Sequence, residues 1–150
     1  MGLSDPAALG VILVLDRGGV SALVPVDERA RARLRALRAR STDIVVSSAV
    51  LAEGLLTGHP GRDHHVARFL AIVEIADVDE PLGLGAGRLR TRALGDGASP
   101  APSGVDALVV AEADRRAATE EVLIVTSDED DLSALAGFGH HVDRISILGV

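Results

Sequence analysis

Apolar positions along this chain come as short unbroken runs alternating with stretches of helical period. Val11 to Leu15 is a continuous aliphatic run, the pattern of a strand covered on both faces. Ile44 to Val46, Val73 to Ala76, Val122 to Val125 and Ile145 to Leu148 read as four further strands. Arg17-Gly18-Gly19 reads as a turn before a short helix at Val20 to Val24, which Pro25 helps to end. Asp27 is placed to cap a helix reaching Arg40, with Ala30, Leu34 and Leu37 at helical spacing. Ser47 or Ser48 caps a helix bearing Glu53, which Gly58-His59-Pro60-Gly61 breaks. Further helices are expected at Arg62 to Ala71, Glu80 to Leu94, Val105 to Arg116 and Leu132 to Ala136. Gly95 to Gly104 is the single linker-like stretch, expected to form a loop, and residues 1–9 are expected to be a flexible N-terminus.

Strands separated by helices predict an α/β fold: one domain over residues 1–150, with a central, mainly parallel five-stranded sheet joined by right-handed crossovers. Ligands in such sheets bind beyond the carboxyl ends of the strands. Asp16 and Asp128 fall at such ends.

Composition narrows the picture. A chain of 150 residues can bury roughly two-thirds of its extended surface. With two Phe and no Trp or Tyr, the core has to be aliphatic. The absence of Cys excludes disulfides and thiolate-bound zinc. No apolar run approaches the ~20 residues of a membrane span, and Met1-Gly-Leu-Ser-Asp lacks a basic leader, so a soluble cytoplasmic protein is the expectation. The net charge of −7 argues against general nucleic-acid affinity unless bound cations and local Arg patches invert the field. The scarcity of aromatics removes the usual stacking platforms for single strands.

The chemistry rests on four carboxylates, each with an ordinary alternative. Asp16 equally fits the start of a turn. Asp106 completes Ser103-Gly-Val-Asp, a capping-box pattern. In Thr126-Ser127-Asp128-Glu129-Asp130-Asp131, a cap followed by first-turn acids suits the helix dipole. Glu53 is the hardest to explain away, because it is read as mid-helix in Val-Leu-Ala-Glu-Gly-Leu-Leu. A carboxylate entering apolar surroundings needs a partner or a metal. Carboxylates far apart in sequence and converging in space are what a divalent-metal site for phosphodiester chemistry requires.

As an ordered set, Val14-Leu15-Asp16, Ser48-Ala-Val-Leu-Ala-Glu53, Val105-Asp106-Ala-Leu-Val-Val-Ala111 and Thr126-Ser127-Asp128 resemble the PIN-domain nucleases. The resemblance is greatest to the VapC-type toxins of bacterial toxin–antitoxin pairs, and it covers Val11 to Leu148. It implies a three-layer α/β/α domain with a groove binding Mg²⁺ or Mn²⁺, and an endoribonuclease acting as a toxin. Asp16, Glu53 and Asp106 would hold the first ion, Asp128 would complete the cluster, and Asp131 or Asp130 would assist. The implied partners are an RNA substrate, a small cognate antitoxin laid across the acidic groove and, as a homodimer, a second copy. Relatives often carry a small or hydroxyl residue just after the first Asp and Ser, Thr or Asn two positions after it. Here Arg17 and Gly18 stand at those places, so hydroxyl support from that segment is missing. Arg17 either binds substrate phosphate or neutralises the acids.

Other features have plainer explanations. His64-His65 and His140-His141 are adjacent pairs whose side chains point apart, so neither chelates by itself. Gly83-Leu-Gly-Ala-Gly-Arg88 follows no clear strand and reads as glycine-tolerant helix packing rather than a phosphate loop. Six Arg between Arg29 and Arg40 read as a solvated helix face. Two competing functions remain. One is a PIN-like protein-binding module with weak or lost nuclease activity. The other, a receiver-type phosphoacceptor, is disfavoured because the chain has no lysine.

Overall fold

The structure, a computed structural model, describes residues 10–150; the expected flexible N-terminus, 1–9, lies outside the described residues. The chain runs β1 (Val11–Leu15), α1 (Arg17–Leu23), α2 (Glu28–Arg38), β2 (Ser41–Ser47), a 3-10 segment (Ser48–Glu53), α3 (Pro60–Leu70), β3 (Glu74–Ala76), α4 (Glu80–Gly95) and α5 (Gly104–Ala117). It closes with β4 (Val122–Thr126), α6 (Glu129–Ala136), a second 3-10 turn (Val142–Arg144) and β5 (Ile145–Gly149). All five strands are parallel, in the order β3-β2-β1-β4-β5.

Burial follows from position in the sheet. β1 and β4 are central and covered on both faces, so their aliphatic runs are almost wholly buried, whereas edge strand β5 alternates between half-buried and exposed. Leu13, Val14, Leu15, Ile124 and Val125 are at most 1% exposed. Side chains of this kind contribute about 1.5–3 kcal/mol each when buried. Right-handed crossovers place α1 to α3 on one face and α4 to α6 on the other. There α5 lies against β1, β2 and β4, with α4 packed on α5 and α6.

Several local expectations change. Arg17-Gly18-Gly19 is not a turn but the first turn of α1, because Asp16 caps it and its side chain accepts from the Gly19 N–H at 2.7 Å. Glu53 is not mid-helix. It ends the 3-10 segment, and Gly54 follows at φ +76°, a left-handed conformation that stops the helix well before Gly58. Gly83, Gly85 and Gly87 lie within α4, but a Cβ at any of them would meet nothing within 4 Å, so helix packing does not require them. The Gly95–Gly104 connection is shorter than expected, since α4 runs to Gly95 and α5 begins at Gly104.

Candidate functional site

The register of β1 and β4 pairs Leu15 with Val125, so the chain segments that follow each strand leave the sheet side by side. Asp16 comes off one and Thr126-Ser127-Asp128 off the other. Asp16 is 5% exposed and both of its oxygens are engaged: Oδ1 by the Gly19 N–H and Oδ2 by the Thr126 hydroxyl. Thr126 Oγ1 in turn accepts from the Asp128 N–H at 2.8 Å. One buried hydroxyl therefore fixes the first and fourth acids relative to each other. Reading Thr126-Ser127 only as a helix cap misses this link. A hydroxyl closing a central strand, level with an Asp on the neighbouring strand, is the signal that exposes it.

The remaining acids arrive on helix starts. Ser103 caps α5 and accepts from the Asp106 N–H at 3.0 Å, and hydrogen bonds from Ser103 reach back to the Asp106 carboxylate, so the capping pattern and the acidic site share this residue. Asp128 caps α6, accepting from the Asp131 N–H at 3.5 Å. The positive ends of α5 and α6 thus face the same acids and partly offset their repulsion. Asp16, Glu53, Asp106 and Asp128 line one cavity of about 610 Å³, together with Arg17, Gly18, Ser103 and Ser127.

Asp106, Asp128 and Asp131 each place one carboxylate oxygen within 4.8 Å of the others. That donor set fits a hard divalent cation, which takes oxygen ligands and draws carboxylates together. The tightest grouping therefore lies on the α5–α6 side, rather than around Asp16, Glu53 and Asp106. Of the two neighbouring acids after Asp128, Asp131 joins the group and Asp130 stays exposed.

The electrostatics follow from this crowding. Glu53 is raised from its ordinary value by burial first, then by Asp106 and Asp16, with Arg17 opposing. Asp106 is raised by burial, with Asp128 and Asp16 adding to it against the lowering hydrogen bonds from Ser103. Asp131 is raised by burial and by Asp128 and Asp106. Arg17, exposed at the start of α1, is the single cationic side chain lining the cavity among the described residues. Neither histidine pair belongs to the cluster. The rings in each pair sit edge to face with centroids 6.2 and 6.4 Å apart, and the His140 and His141 N–H groups donate instead to Asp114.

An all-parallel five-stranded sheet with helices on both faces, and acids collected at the carboxyl edge of its central strands, is the PIN-like α/β architecture. Solved structures of VapC-type proteins share it. The VapBC2 structure from Rickettsia felis, bound to a promoter DNA fragment, matches over 93% of this chain and 99% of its own, with a TM-score of 0.67 and 18% identity. DNA-bound VapBC from Salmonella typhimurium matches over 93% of this chain and 98% of its own (TM-score 0.62, 18% identity). Mycobacterium tuberculosis VapC20, a sarcin-ricin loop cleaving toxin, matches over 87% and 97% (TM-score 0.54, 20% identity). No protein-family model and no curated protein matches the chain.

Proposed function

We propose that this chain is a VapC-type PIN-domain endoribonuclease, the toxin of a toxin–antitoxin pair, that uses Mg²⁺ or Mn²⁺ to hydrolyse RNA. The observation that carries this reading is the gathering of Asp106, Asp128 and Asp131 within 4.8 Å, beside a cavity lined by Asp16, Glu53, Asp106 and Asp128 in which Arg17 is the single cationic side chain among the described residues. The similarity in fold to VapBC assemblies and to a toxin that cleaves the sarcin-ricin loop supports it.

In this reading Asp106, Asp128 and Asp131 hold the cation, and Asp16 and Glu53 complete the acidic wall. A bound divalent ion supplies an activated water and charge stabilisation for the leaving oxygen of a phosphodiester. The chain's own part is to hold the acids still. Thr126 and the Gly19 N–H fix Asp16, and the caps of α5 and α6 fix Asp106 and Asp128. Glu53, with its raised affinity for a proton, is suited to accept one from an incoming water. Arg17 at the rim is placed to bind a substrate phosphate.

An acidic groove in a chain of net charge −7 attracts a basic segment, which fits an antitoxin whose cationic side chain reaches the acids. Assembly as a homodimer and a cytoplasmic location belong to the same reading. No helix among the described residues is long and apolar enough to cross a membrane.

The test is cleavage of structured RNA by the purified chain with and without Mn²⁺. Cleavage should require the ion and be abolished by Asp16→Asn and by Glu53→Gln. Full activity in those variants would remove the catalytic assignment. A folded chain that binds no Mn²⁺ or Mg²⁺ in the millimolar range would turn the reading to a protein-binding module.

A further inference from the structure

We propose that Ser127 supplies a free hydroxyl to the acidic site and binds the metal's hydration shell or the ion itself, and that Gly18 is glycine in order to leave room for residue 127, its side chain and its backbone. The inference rests on the metal-site reading above and adds a residue to it.

The first turn of α1 presses against the end of β4. A Cβ at Gly19 would stand 3.0 Å from the Val125 carbonyl carbon and closer still to its oxygen, so only a glycine allows the helix to approach this far. At that separation, residue 18 meets the segment just beyond the strand. A Cβ at Gly18 would lie 2.5 Å from the Ser127 Cβ, 2.8 Å from its backbone nitrogen and within overlap of its Oγ. The Ser127 side chain therefore fills the volume that any side chain at position 18 would take. The two positions are sterically exclusive.

The Ser127 hydroxyl is also held and free at once. Thr126, on one side, is locked to Asp16 through its hydroxyl, and Asp128, on the other, donates its N–H to that same hydroxyl. The backbone that aims Ser127 is thus pinned by the acids of the site. Yet Ser127 Oγ makes no hydrogen bond among the described residues, and Ser127 is exposed on the wall of the cavity that holds Asp16, Glu53, Asp106 and Asp128. A hydroxyl is a hard oxygen donor that also donates a proton, so among carboxylates it can bind an ion or orient a water on one without adding to the negative charge.

The experiment titrates Mn²⁺ into the full-length protein by calorimetry, beside thermal melts of the metal-free protein. Ser127→Ala, which keeps the Cβ and removes only the hydroxyl, is expected to melt like the parent and to bind Mn²⁺ about 10-fold more weakly. Ser127→Thr, which keeps the hydroxyl, should retain the parent affinity. Gly18→Ser alone should lower the melting temperature, and adding Ser127→Gly should recover only part of the loss, because the backbone nitrogen at 2.8 Å remains. Parent-like Mn²⁺ affinity in Ser127→Ala would overturn the proposal, as would an equal loss in Ser127→Thr or a Gly18→Ser protein of unchanged stability. Failure of the parent protein to bind Mn²⁺ would end the metal-site reading and this inference together. Binding by the parent with an indifferent Ser127→Ala ends this inference alone.

Discussion

Helix α5 carries acids at both ends, and the two ends treat them in opposite ways. In its C-terminal half, Glu112 is completely buried but sits between Arg115 at 2.5 Å and Arg116 at 2.7 Å, and Arg116 reaches on to Glu74 at 2.5 Å. Asp114, 8% exposed, accepts the N–H groups of His140 at 3.1 Å and His141 at 2.8 Å and so holds the chain after α6 in place. In the first turn, Asp106 faces Asp128 and Asp131 with no cation in contact among the described residues. The lesson is that this fold can neutralise a carboxylate wherever its role is architectural. Of the acids on α5, the one left without a cation is Asp106, at the carboxyl edge of the sheet, where a ligand of positive charge would enter.

The largest effect should come from breaking the neutralised end. Glu112→Ala would remove the buried carboxylate on which two guanidinium groups close, leaving Arg115 to Asp79 and Arg116 to Glu74, so the cost should fall at the low end of that for breaking a buried pair, about 3 kcal/mol. Chemical denaturation should show a loss of that order, with Mn²⁺ affinity unchanged in the fraction that remains folded. A small loss would mean that the two ends of α5 differ less than their contacts indicate.

The opposite end should respond with the opposite sign. Asp106→Asn removes one of three mutually repelling carboxylates, so the metal-free protein should become more stable at neutral pH. Mn²⁺ affinity and RNA cleavage should each fall by at least about 100-fold, the upper range for loss of an outer-shell partner. Melting curves with and without Mn²⁺ measure both. A variant less stable than the parent without metal would show that Asp106 is structural, as the Ser103 cap alone would make it.

The pH dependence sharpens the same contrast. Glu53, Asp106 and Asp131 are raised, so they bind protons more readily in the folded chain than in the unfolded one. Their contribution to stability is therefore lost as pH rises from the ordinary carboxylate range through the raised values. Glu28, lowered chiefly by Arg35, and Asp63, lowered chiefly by the Thr57 N–H, work in reverse: their contribution is lost as pH falls below that range. Mn²⁺ should weaken the first effect, and its affinity should drop as pH falls through the raised values, because protons compete for the same oxygens. Calorimetry across that interval checks this. An affinity independent of pH would place the ion away from these three acids.

The sheet was legible because its signal is redundant. Each central strand is a run of four or five aliphatic residues, in a chain whose two Phe leave the core to Val, Leu, Ile and Ala. The acids were legible as an ordered set for a related reason, since strand ends and helix starts deliver them to one edge whatever the exact helix boundaries are. What stayed hidden depended on contacts between distant segments. The Thr126–Asp16 hydrogen bond spans 110 positions, and the Gly18–Ser127 contact is visible only once α1 lies against β4. Glu53 misled for a local reason. Its preceding apolar neighbours belong to a 3-10 segment that ends at Glu53 itself, and Leu55 and Leu56 lie beyond the left-handed Gly54, so helical periodicity does not describe its surroundings. Arg115 and Arg116 follow Glu112 at the ordinary helical ion-pair spacing, and what stayed hidden there is that Glu112 is completely buried.

Arg17 is where the two ends of the contrast meet, because it is a cation placed at the otherwise un-neutralised edge. It lowers the proton affinity of Glu53 and lines the cavity, yet it makes no ion pair within 4.0 Å among the described residues. Two roles make separable predictions for Arg17→Gln. If the guanidinium binds substrate phosphate, RNA affinity falls severalfold whatever the sequence, and the dependence of log affinity on log salt loses about one unit of slope. If it only tempers the acids, Mn²⁺ affinity rises slightly and the salt slope stays where it was. RNA binding measured at fixed Mn²⁺ over a range of salt, with a catalytically dead Glu53→Gln background to prevent cleavage, distinguishes them. The first outcome is expected. An acidic wall that already has helix N-termini behind it has less need of a mobile side-chain cation than does an incoming phosphodiester, which must approach a chain of net charge −7.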